Sequence, residues 1–270
     1  MKDSITYVPN YYSRFSCIAG KCQHTCCKGW EIDIDAESMK RFSSDKSIMK
    51  VVEDGSFVLQ GDEERCPFLR EDNLCQMIID HGENFICDIC KDHPRFRNYY
   101  DDRIEMGIGL CCEAACDLII GNTELFEIVP ERELSDCINI LKVRGSDIME
   151  RFALIASVKL DPEESADLYR QMERLDRNWD EIIDTCERDR KKVSTYIREH
   201  SVEFEQIAVY YAFRYPRIPS FAVEACMVIA GCAITLGGGV EDIKEAARMY
   251  SSEVEYSDEN MDLIYEVFED

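Results

Sequence analysis

The sequence predicts a mainly α-helical protein with two parts. An irregular cysteine-cluster domain with short strands (residues 1–120) packs on a helical domain (residues 121–270). Eleven of the 15 cysteines lie between Cys17 and Cys116. Before about residue 120 the sequence is rich in turn residues and has no regular apolar period. After it, apolar residues recur at three- and four-residue spacing, which is typical of helices with one buried face. Because no internal repeat or long flexible linker separates the two parts, we expect them to pack together.

The N-terminal part contains few regular elements. Residues 30–35 alternate apolar and acidic side chains, as a half-buried strand does, and residues 57–59 are a second strand candidate. Asp35 is placed to cap a short helix through Met39 and Phe42. We therefore expect loops, and not helices, to carry the early cysteines.

The C-terminal part reads as a series of helices. The first two are indicated by Leu134, Ile138 and Leu141 and then by Ile148, Phe152 and Ile155. Asp161 and Pro162 begin a third helix, because an acidic N-cap and a proline in the first turn favour a helix start. That helix is expected to bury Leu168, Met172, Leu175, Trp179 and Ile182. Further helices are predicted over residues 193–214 (stopped by Pro216), 221–236, 240–250 and 260–268.

Charge and composition limit the possible partners and compartment. The formal net charge is −24, from 55 acidic and 31 basic residues. Duplex DNA and anionic membranes reward clustered Lys and Arg, so neither is an expected partner. The acidity suits a basic protein partner, or it serves solubility alone. No secretory signal follows Met1, and residues 221–236 read as a buried core helix and not as a membrane span. We therefore expect a cytoplasmic protein, in which structural disulfides are disfavoured.

The early cysteines have the short, recurrent spacing of metal sites. Residues 17–27 hold four of them, and Cys87 and Cys90 form a CxxC pair whose sulfurs can chelate one metal. A tight loop is expected to bring Cys66 and Cys75 together. Thiolates suit both zinc and iron–sulfur clusters, and the spacing leaves this choice open. The four late cysteines sit singly among apolar neighbours and are predicted to be core residues: Cys137, Cys186, Cys226 and Cys232.

Several motifs of the first 120 residues resemble those of one known family. The stretch from Phe15 to Asp35 resembles the opening of the flagellin lysine-N-methylases, which belong to cysteine-cluster proteins described as a zinc- or iron-chelating domain. Residues 66–69 (CPFL), 74–75 (LC), 90–95 (CKDHPR) and 110–115 (LCCEAA) resemble later elements of that family, in the same order. Cys112 stands where the family often has proline, Cys87 and Cys116 are additional, and the chain is short for a full-length flagellin methylase.

The resemblance implies an enzyme and its cofactors. It implies transfer of a methyl group from S-adenosylmethionine to lysine side chains of flagellin or another lysine-rich protein, with an iron–sulfur centre, expected to be [4Fe-4S]. Zinc is the alternative metal. The alignment places the family's eight cysteines on Cys17, Cys22, Cys26, Cys27, Cys66, Cys75, Cys90 and Cys111.

The residues themselves give little direct indication of methyl transfer. No G-x-G-x-x-G follows a strand, since Gly107-Ile108-Gly109 lacks the third glycine, and no radical-type cysteine triplet is present. Weak catalytic candidates are Arg95, which could also bind the cofactor, and the acids Glu113 and Asp92. His24 is a possible ligand and His93 reads as a turn residue. The aromatic side chains expected to shield the centre are Tyr11, Tyr12, Phe15 and Trp30.

Three functional classes therefore stay open at the level of sequence. A lysine methylase predicts bound iron and binding of S-adenosylmethionine. A non-catalytic metal-chelating module predicts zinc and no affinity for the cofactor. A redox sensor predicts thiols that cycle with disulfides and hold no tight metal.

Overall fold

The computed structural model describes residues 4–175 and 177–269, and within these residues the chain forms fourteen α-helices and six short strands. The prediction of a mainly α protein with some short strands is confirmed. The strands in chain order are β1 (Ile5–Pro9), β2 (Val52–Glu53), β3 (Ser56–Phe57), β4 (Arg95–Tyr99), β5 (Arg103–Ile108) and β6 (Ile128–Val129). The helices are α1 (Ala36–Phe42), α2 (Lys46–Met49), α3 (Gln76–His81), α4 (Asp88–Asp92), α5 (Glu113–Ile120), α6 (Asp136–Leu141), α7 (Ile148–Ile155), α8 (Pro162–Gln171), α9 (Arg177–Thr185), α10 (Arg190–Glu199), α11 (Ser201–Arg214), α12 (Pro219–Leu236), α13 (Val240–Val254) and α14 (Asp258–Phe268).

The chain divides into two compact units. The small unit is Ser16–Arg95, and the helical unit consists of the residues before Ser16 and those from Phe96 onward. The domain boundary near residue 120 stays a prediction. The contacts divide the chain differently, because β1 contacts β5 and because α5 contacts α11 and α13.

The small unit is held together by caps and a limited apolar core. As predicted, Asp35 caps α1, accepting a hydrogen bond from Ser38 N at 2.8 Å, and it also accepts one from Asp88 N at 2.9 Å. Ile32 and Ile34 are buried, so residues 30–35 have the predicted alternation. They pair, however, only through a single bridge from Asp33 to Ser56, and the predicted strand at residues 57–59 overlaps β3 at one residue. The nine buried core residues are Ile32, Ile34, Phe42, Ile48, Phe57, Cys66, Met77, Ile86 and Cys87.

The helical unit contains a sheet that the sequence did not predict. Its strand order is β4-β5-β1-β6, with β1 parallel to β5 and antiparallel to β6. The Gly107-Ile108-Gly109 string lies at the end of β5, and the Phe96 ring fills the space where a side chain on Gly107 would stand. That string is therefore part of the sheet and not a phosphate-binding loop.

The predicted helices of the helical unit are present, with two breaks. Asp161 and Glu164 form a capping box at the start of α8, and α11 ends at Arg214, two residues before Pro216. The single helix predicted from Asp161 through Ile182 is wrong, because α8 ends at Gln171 and α9 begins at Arg177; Leu175 lies between them and is 45% exposed. The helix predicted over residues 193–214 is likewise two helices that meet at His200.

The most apolar helix lies inside the helical unit. Among the described residues, α12 has the length and mean hydropathy, 1.7, that a membrane-crossing helix needs, and 67% of it is buried within the protein. A core helix passes the same test of length and composition, and α12 packs against α10, α11 and α13.

Candidate functional site

The first cysteine group of the small unit is folded against the Cys66–Cys75 loop. Cys17 and Cys22 flank a short 3₁₀ turn at Ala19–Lys21. Gly20 permits this approach, since a Cβ at this position would lie 2.8 Å from the Asp72 carbonyl oxygen. The Asn73 amide Nδ2 donates to the Cys22 carbonyl oxygen at 3.4 Å. Gly20 therefore lets two cysteine-bearing segments meet.

Cys27 is joined to the same loop by a backbone hydrogen bond, and its neighbour Cys26 is bound by Trp30. Cys66 N donates to the Cys27 carbonyl oxygen at 2.8 Å, and Trp30 Nε1 donates to the Cys26 carbonyl oxygen at 2.7 Å. A hydrogen bond from the Cys26 side chain lowers the pKa of the Cys27 thiol to about 7. The Cys27 thiol therefore ionises closer to neutral pH than an ordinary cysteine does.

Four further cysteines lie in or against the small unit's core. Cys66 and Cys87 are buried, and Cys75 and Cys90 are half-buried beside them. Cys87 Sγ and Cys90 Sγ are 3.2 Å apart, and this contact lowers the pKa of Cys87 while it raises that of Cys90. Burial, with smaller contributions from the nearby Cys27, Cys75 and Cys87, raises the pKa of Cys66 to about 12. The CxxC pair and the Cys66–Cys75 loop are thus electrostatic neighbours in one apolar environment.

The donors in this group suit a soft metal, but their side chains are not arranged as a finished site. Thiolates are preferred ligands for zinc and iron–sulfur centres, and an apolar shell shields such centres from water. Within residues 4–175 and 177–269, however, no three His, Cys, Asp or Glu side chains converge as metal ligands. The chemistry of the donor set therefore fits a metal, and the metal assignment of these cysteines stays a prediction.

The expectation that loops alone carry these cysteines is wrong in part. Cys75, Cys87 and Cys112 are the residues immediately before α3, α4 and α5. Cys90 lies within α4 and Cys116 within α5. These helices have only five to eight residues, and an apolar period is hard to recognise over so few positions.

The last of the eight predicted ligands, Cys111, belongs to the helical unit. Burial raises the pKa of its thiol to about 12, and the Tyr256 side chain forms a hydrogen bond with it. The neighbouring Cys116 is buried and donates its thiol proton to the Leu110 carbonyl oxygen at 2.8 Å. Seven of the eight predicted ligands therefore lie in the small unit and one in the helical unit.

A buried polar cluster holds the segment that carries Cys111. Leu110 N donates to the Tyr210 hydroxyl at 3.2 Å, and Arg214 Nη1 donates to the same hydroxyl at 2.8 Å. Tyr210 in turn donates to the Glu255 carboxylate at 3.1 Å, which is fully buried and pairs with Arg214 Nε at 3.2 Å. The guanidinium also lies over the Phe96 ring at 4.7 Å. The buried Glu255 charge is therefore paired and fully hydrogen-bonded.

This cluster was not predicted from the sequence. Tyr210 and Arg214 are four residues apart on α11, a spacing that places them on one face, but their partner Glu255 follows α13 more than forty positions later. A buried acid in an acidic chain has no local signature, since its partners come from other elements.

The weaker candidates occupy varied places. Arg95 is half-buried and donates from Nη1 to the Lys91 carbonyl oxygen at 3.2 Å. Asp92 ends α4, and Glu113 begins α5 directly after the Cys111–Cys112 pair. His93 follows α4, where burial lowers its pKa to about 4, and its ring centroid lies 6.0 Å from that of Trp30. Their proposed roles, and that of His24 as a ligand, stay predictions.

The late cysteines pack as the sequence indicates. Cys186, Cys226 and Cys232 are buried in the core of the helical unit, and Cys137 is half-buried against it. The prediction that they are core residues is confirmed, except that Cys186 lies just after α9 and not within a helix.

Comparison with known proteins finds relatives over about half of the chain. It is 26% identical over 138 residues to a lysine-N-methylase of Salmonella typhimurium, which is 46% of this chain and 34% of that protein. The lysine-N-methylase of Salmonella choleraesuis is 25% identical over the same shares. The flagellar biosynthetic protein FliU of Salmonella muenchen is 24% identical over 149 residues, which is 50% of this chain and 88% of FliU.

These similarities confirm the resemblance to the flagellin lysine-N-methylases. The match spans only about a third of the length of the two lysine-N-methylases. No protein-family model matches the chain, and no solved structure matches it.

Proposed function

We propose that this protein is a lysine N-methyltransferase that transfers a methyl group from S-adenosylmethionine to lysine side chains of flagellin. The observation that carries the proposal is the similarity to two proteins named lysine-N-methylase and to a flagellar biosynthetic protein. The net charge of −24 favours a basic, lysine-bearing partner over nucleic acid or an anionic membrane. A cytoplasmic location suits a protein with fifteen free thiols.

The proposed metal centre lies in the small unit. The cysteines that would hold it are drawn from Cys17, Cys22, Cys26, Cys27, Cys66, Cys75, Cys87 and Cys90, and Cys111 of the helical unit stays a proposed ligand. When bound, an iron–sulfur centre, proposed as [4Fe-4S], with an open iron could hold the amino and carboxylate groups of the cofactor. Among the protein's own groups, the Arg95 guanidinium is the proposed partner of the cofactor carboxylate, because its planar fork suits a carboxylate.

The acceptor lysine must lose a proton before it can attack. A lysine amine has a pKa of about 10.4, so a protein group has to accept this proton at neutral pH. Glu113 is the proposed acceptor: it is half-buried in the first turn of α5, next to the Cys111–Cys112 pair.

The test is a methylation assay on protein purified without oxygen. Flagellin and methyl-labelled S-adenosylmethionine are added, and label is expected on flagellin lysines but not on flagellin whose lysines were acetylated beforehand. Glu113→Gln is expected to lower the rate by about 10²–10⁴-fold, the usual contribution of a general base. Glu150→Gln is the matched control, since Glu150 also occupies a first turn and is exposed. Absence of label with loaded protein would overturn the proposal.

A second candidate is a structural metal module that binds zinc and has no activity. The observation that favours it is the burial of Cys66 and Cys87 inside the small unit's core, where a metal would stabilise the fold without meeting a substrate. Metal analysis with an absorbance spectrum separates the two candidates. Iron with acid-labile sulfide and a brown colour supports the methylase, whereas zinc in a colourless protein without affinity for S-adenosylmethionine supports the module.

A further inference from the structure

The helical unit contains a cavity that the proposed function does not use. It has a volume of about 210 Å³ and lies between α7, α10 and α12. Residues 158–162, the nearby Ser165 and residues 186–188 contribute to the rest of its lining. Most of its wall is apolar, and the side chains that matter here are Phe152, Val193, Val223 and Met227. An engineered apolar cavity of about 150 Å³ holds benzene, which has six heavy atoms, so this cavity has room for roughly eight to nine heavy atoms.

At one place in the cavity wall, the Glu224 carboxylate and the Arg188 guanidinium both contact the Ser165 hydroxyl. Glu224 is 8% exposed although it lies on the most apolar helix, α12. Within the described part of the chain, Ser165 is its one hydrogen-bond donor, at 2.5 Å from Oγ to Oε1. Arg188 Nη1 donates to the same Ser165 hydroxyl at 3.4 Å. The carboxylate and the guanidinium are therefore held beside each other by a shared hydroxyl and do not pair directly.

The single hydrogen bond from Ser165 does not fully compensate the burial of the Glu224 carboxylate. Burial raises its pKa, while Arg188 and Arg190 oppose the rise. Burial of a carboxylate with one neutral donor is costly, and a perturbed ionisable group that lines a cavity is a candidate ligand-binding group. Most of the other charges around the cavity have local partners. Asp161 caps α8, Glu187 pairs with Lys192 at 2.6 Å, and Arg190 donates to the Leu160 carbonyl oxygen.

The wall that carries Arg188 is fixed in place. Glu187 N donates to the Gly231 carbonyl oxygen at 3.3 Å, and a Cβ on Gly231 would lie 2.3 Å from the Glu187 carbonyl oxygen and 2.6 Å from Cys186 Sγ. Arg188 Nη2 also donates to the Ile183 carbonyl oxygen at 3.2 Å. The segment therefore rests directly on α12, which keeps the guanidinium and Glu224 at a constant separation.

We propose that this cavity binds a free apolar α-amino acid. The ammonium group contacts Glu224 and Ser165, the carboxylate contacts Arg188, and the apolar side chain lies against Phe152, Val223 and Met227. An α-amino acid carries its two opposite charges on one carbon atom, which matches a carboxylate and a guanidinium joined through one hydroxyl. Methionine has about nine heavy atoms and suits the volume. The inference does not depend on the proposed methyl transfer.

The test is calorimetric titration of the full chain with L-methionine, L-leucine, N-acetyl-L-methionine and S-adenosylmethionine. Saturable binding of L-methionine or L-leucine is expected, and at least about tenfold weaker binding of the N-acetyl compound, because acetylation removes the ammonium group. Glu224→Gln is expected to weaken binding of the free amino acid by at least about tenfold for the same reason. Glu163→Gln is the matched control, since Glu163 is exposed on α8 and outside the cavity lining.

Val223→Phe serves as a second variant that fills the cavity and keeps every charge. It is expected to abolish binding, and circular dichroism checks that both variants stay folded. If S-adenosylmethionine binds and neither free amino acid does, the proposal is overturned, and the cavity takes the methionine part of a larger molecule. The proposal is overturned if none of the four compounds binds, or if binding persists in both Glu224→Gln and Val223→Phe.

Discussion

The two units of this protein use cysteine in opposite ways. In the helical unit, Cys226 and Cys232 lie singly on α12 and are completely buried among large apolar side chains. In the small unit, Cys66 and Cys87 belong to a core of only nine buried residues, and Cys27, Cys75 and Cys90 pack around it. Cysteine is thus a minor component of the apolar core in the helical unit and a main component of the core in the small unit. Cysteine spacing is therefore informative only together with the apolar residues around it.

The difference suggests different sources of stability. The helical unit buries many aromatic side chains, among them Trp179, Tyr169 and Phe204, which supply most of a core's apolar area. The small unit consists of short helices and two-residue strands, and a domain of this size hides a smaller fraction of its surface. Small domains of this kind are commonly held by disulfides or metals, and its cysteines are free thiols. We therefore expect the small unit, and not the helical unit, to depend on a bound metal.

Metal removal is expected to show the largest difference in stability between the two units. Chelation under reducing, oxygen-free conditions is expected to unfold residues 16–95, because structural metal binding by cysteines contributes about 10 kcal/mol or more to folding. The helical unit should keep its structure. Amide hydrogen exchange measured separately on residues 16–95 and 201–254 checks the result. Equal loss of protection in the two units would contradict the difference proposed here.

A single cysteine substitution in each unit tests whether cysteine has a different role in the two units. Cys66→Ser is expected to remove most of the bound metal, since a hydroxyl is a poor ligand for soft metals. Cys226→Ser should leave the metal content unchanged and lower stability by about 1–3 kcal/mol, through burial of a hydroxyl. Metal content per chain and thermal unfolding measure the two effects. Unchanged metal in Cys66→Ser would remove this cysteine from the ligand set.

The helical unit should instead be sensitive to its buried ion pairs. Glu205 is 2% exposed and pairs with Arg144 and Arg151, each at 2.8 Å. Glu205→Gln is expected to lower the free energy of unfolding by about 3–5 kcal/mol, because it leaves a buried guanidinium without its counter-charge. The control is Asp167→Asn, whose partner Arg170 is exposed, and its effect should stay within about 1 kcal/mol. Urea unfolding measures the loss of stability in both variants. Similar losses would contradict the expected difference between a buried and an exposed ion pair.

Helix caps should have the smallest effect, and a similar one in both units. Asp35→Ala and Asp147→Ala each remove an N-cap and are expected to cost about 1 kcal/mol. The backbone hydrogen bond from Met149 holds the pKa of Asp147 below its ordinary value. Its contribution is therefore fully present above pH about 4 and is lost as pH falls through the lowered pKa. The difference between wild type and Asp147→Ala should shrink at acid pH, as thermal unfolding across pH values can measure.

The sequence predicted the helices of the later chain because their patterns are local. The caps at Asp35 and Asp161 and the stop before Pro216 depend on neighbouring residues alone. The break at His200 was missed because apolar spacing continues through it from α10 to α11. The sheet was missed because β1 pairs with β5, almost a hundred residues away, and β6 has only two residues.

The candidate sites were predictable to very different degrees. The cysteine group of the small unit could be recognised from its spacing, because its members lie close together in the chain. The Tyr210, Arg214 and Glu255 cluster and the cavity at Glu224 could not, because each joins residues from distant helices. Only the folded structure places a lone acid of α12 beside Ser165 and Arg188.

The parallel pairing of β1 with β5 has a consequence for synthesis of the chain. Thr6 pairs with Ile104, so the ribosome must make nearly a hundred further residues after β1 before its partner strand exists. The whole of Ser16–Arg95 is made in that interval. If this segment folds as it is released, it draws the ends of the intervening chain together and lowers the entropy lost when the two strands meet. The order of translation thereby gives the inserted segment a part in the assembly of the rest of the protein.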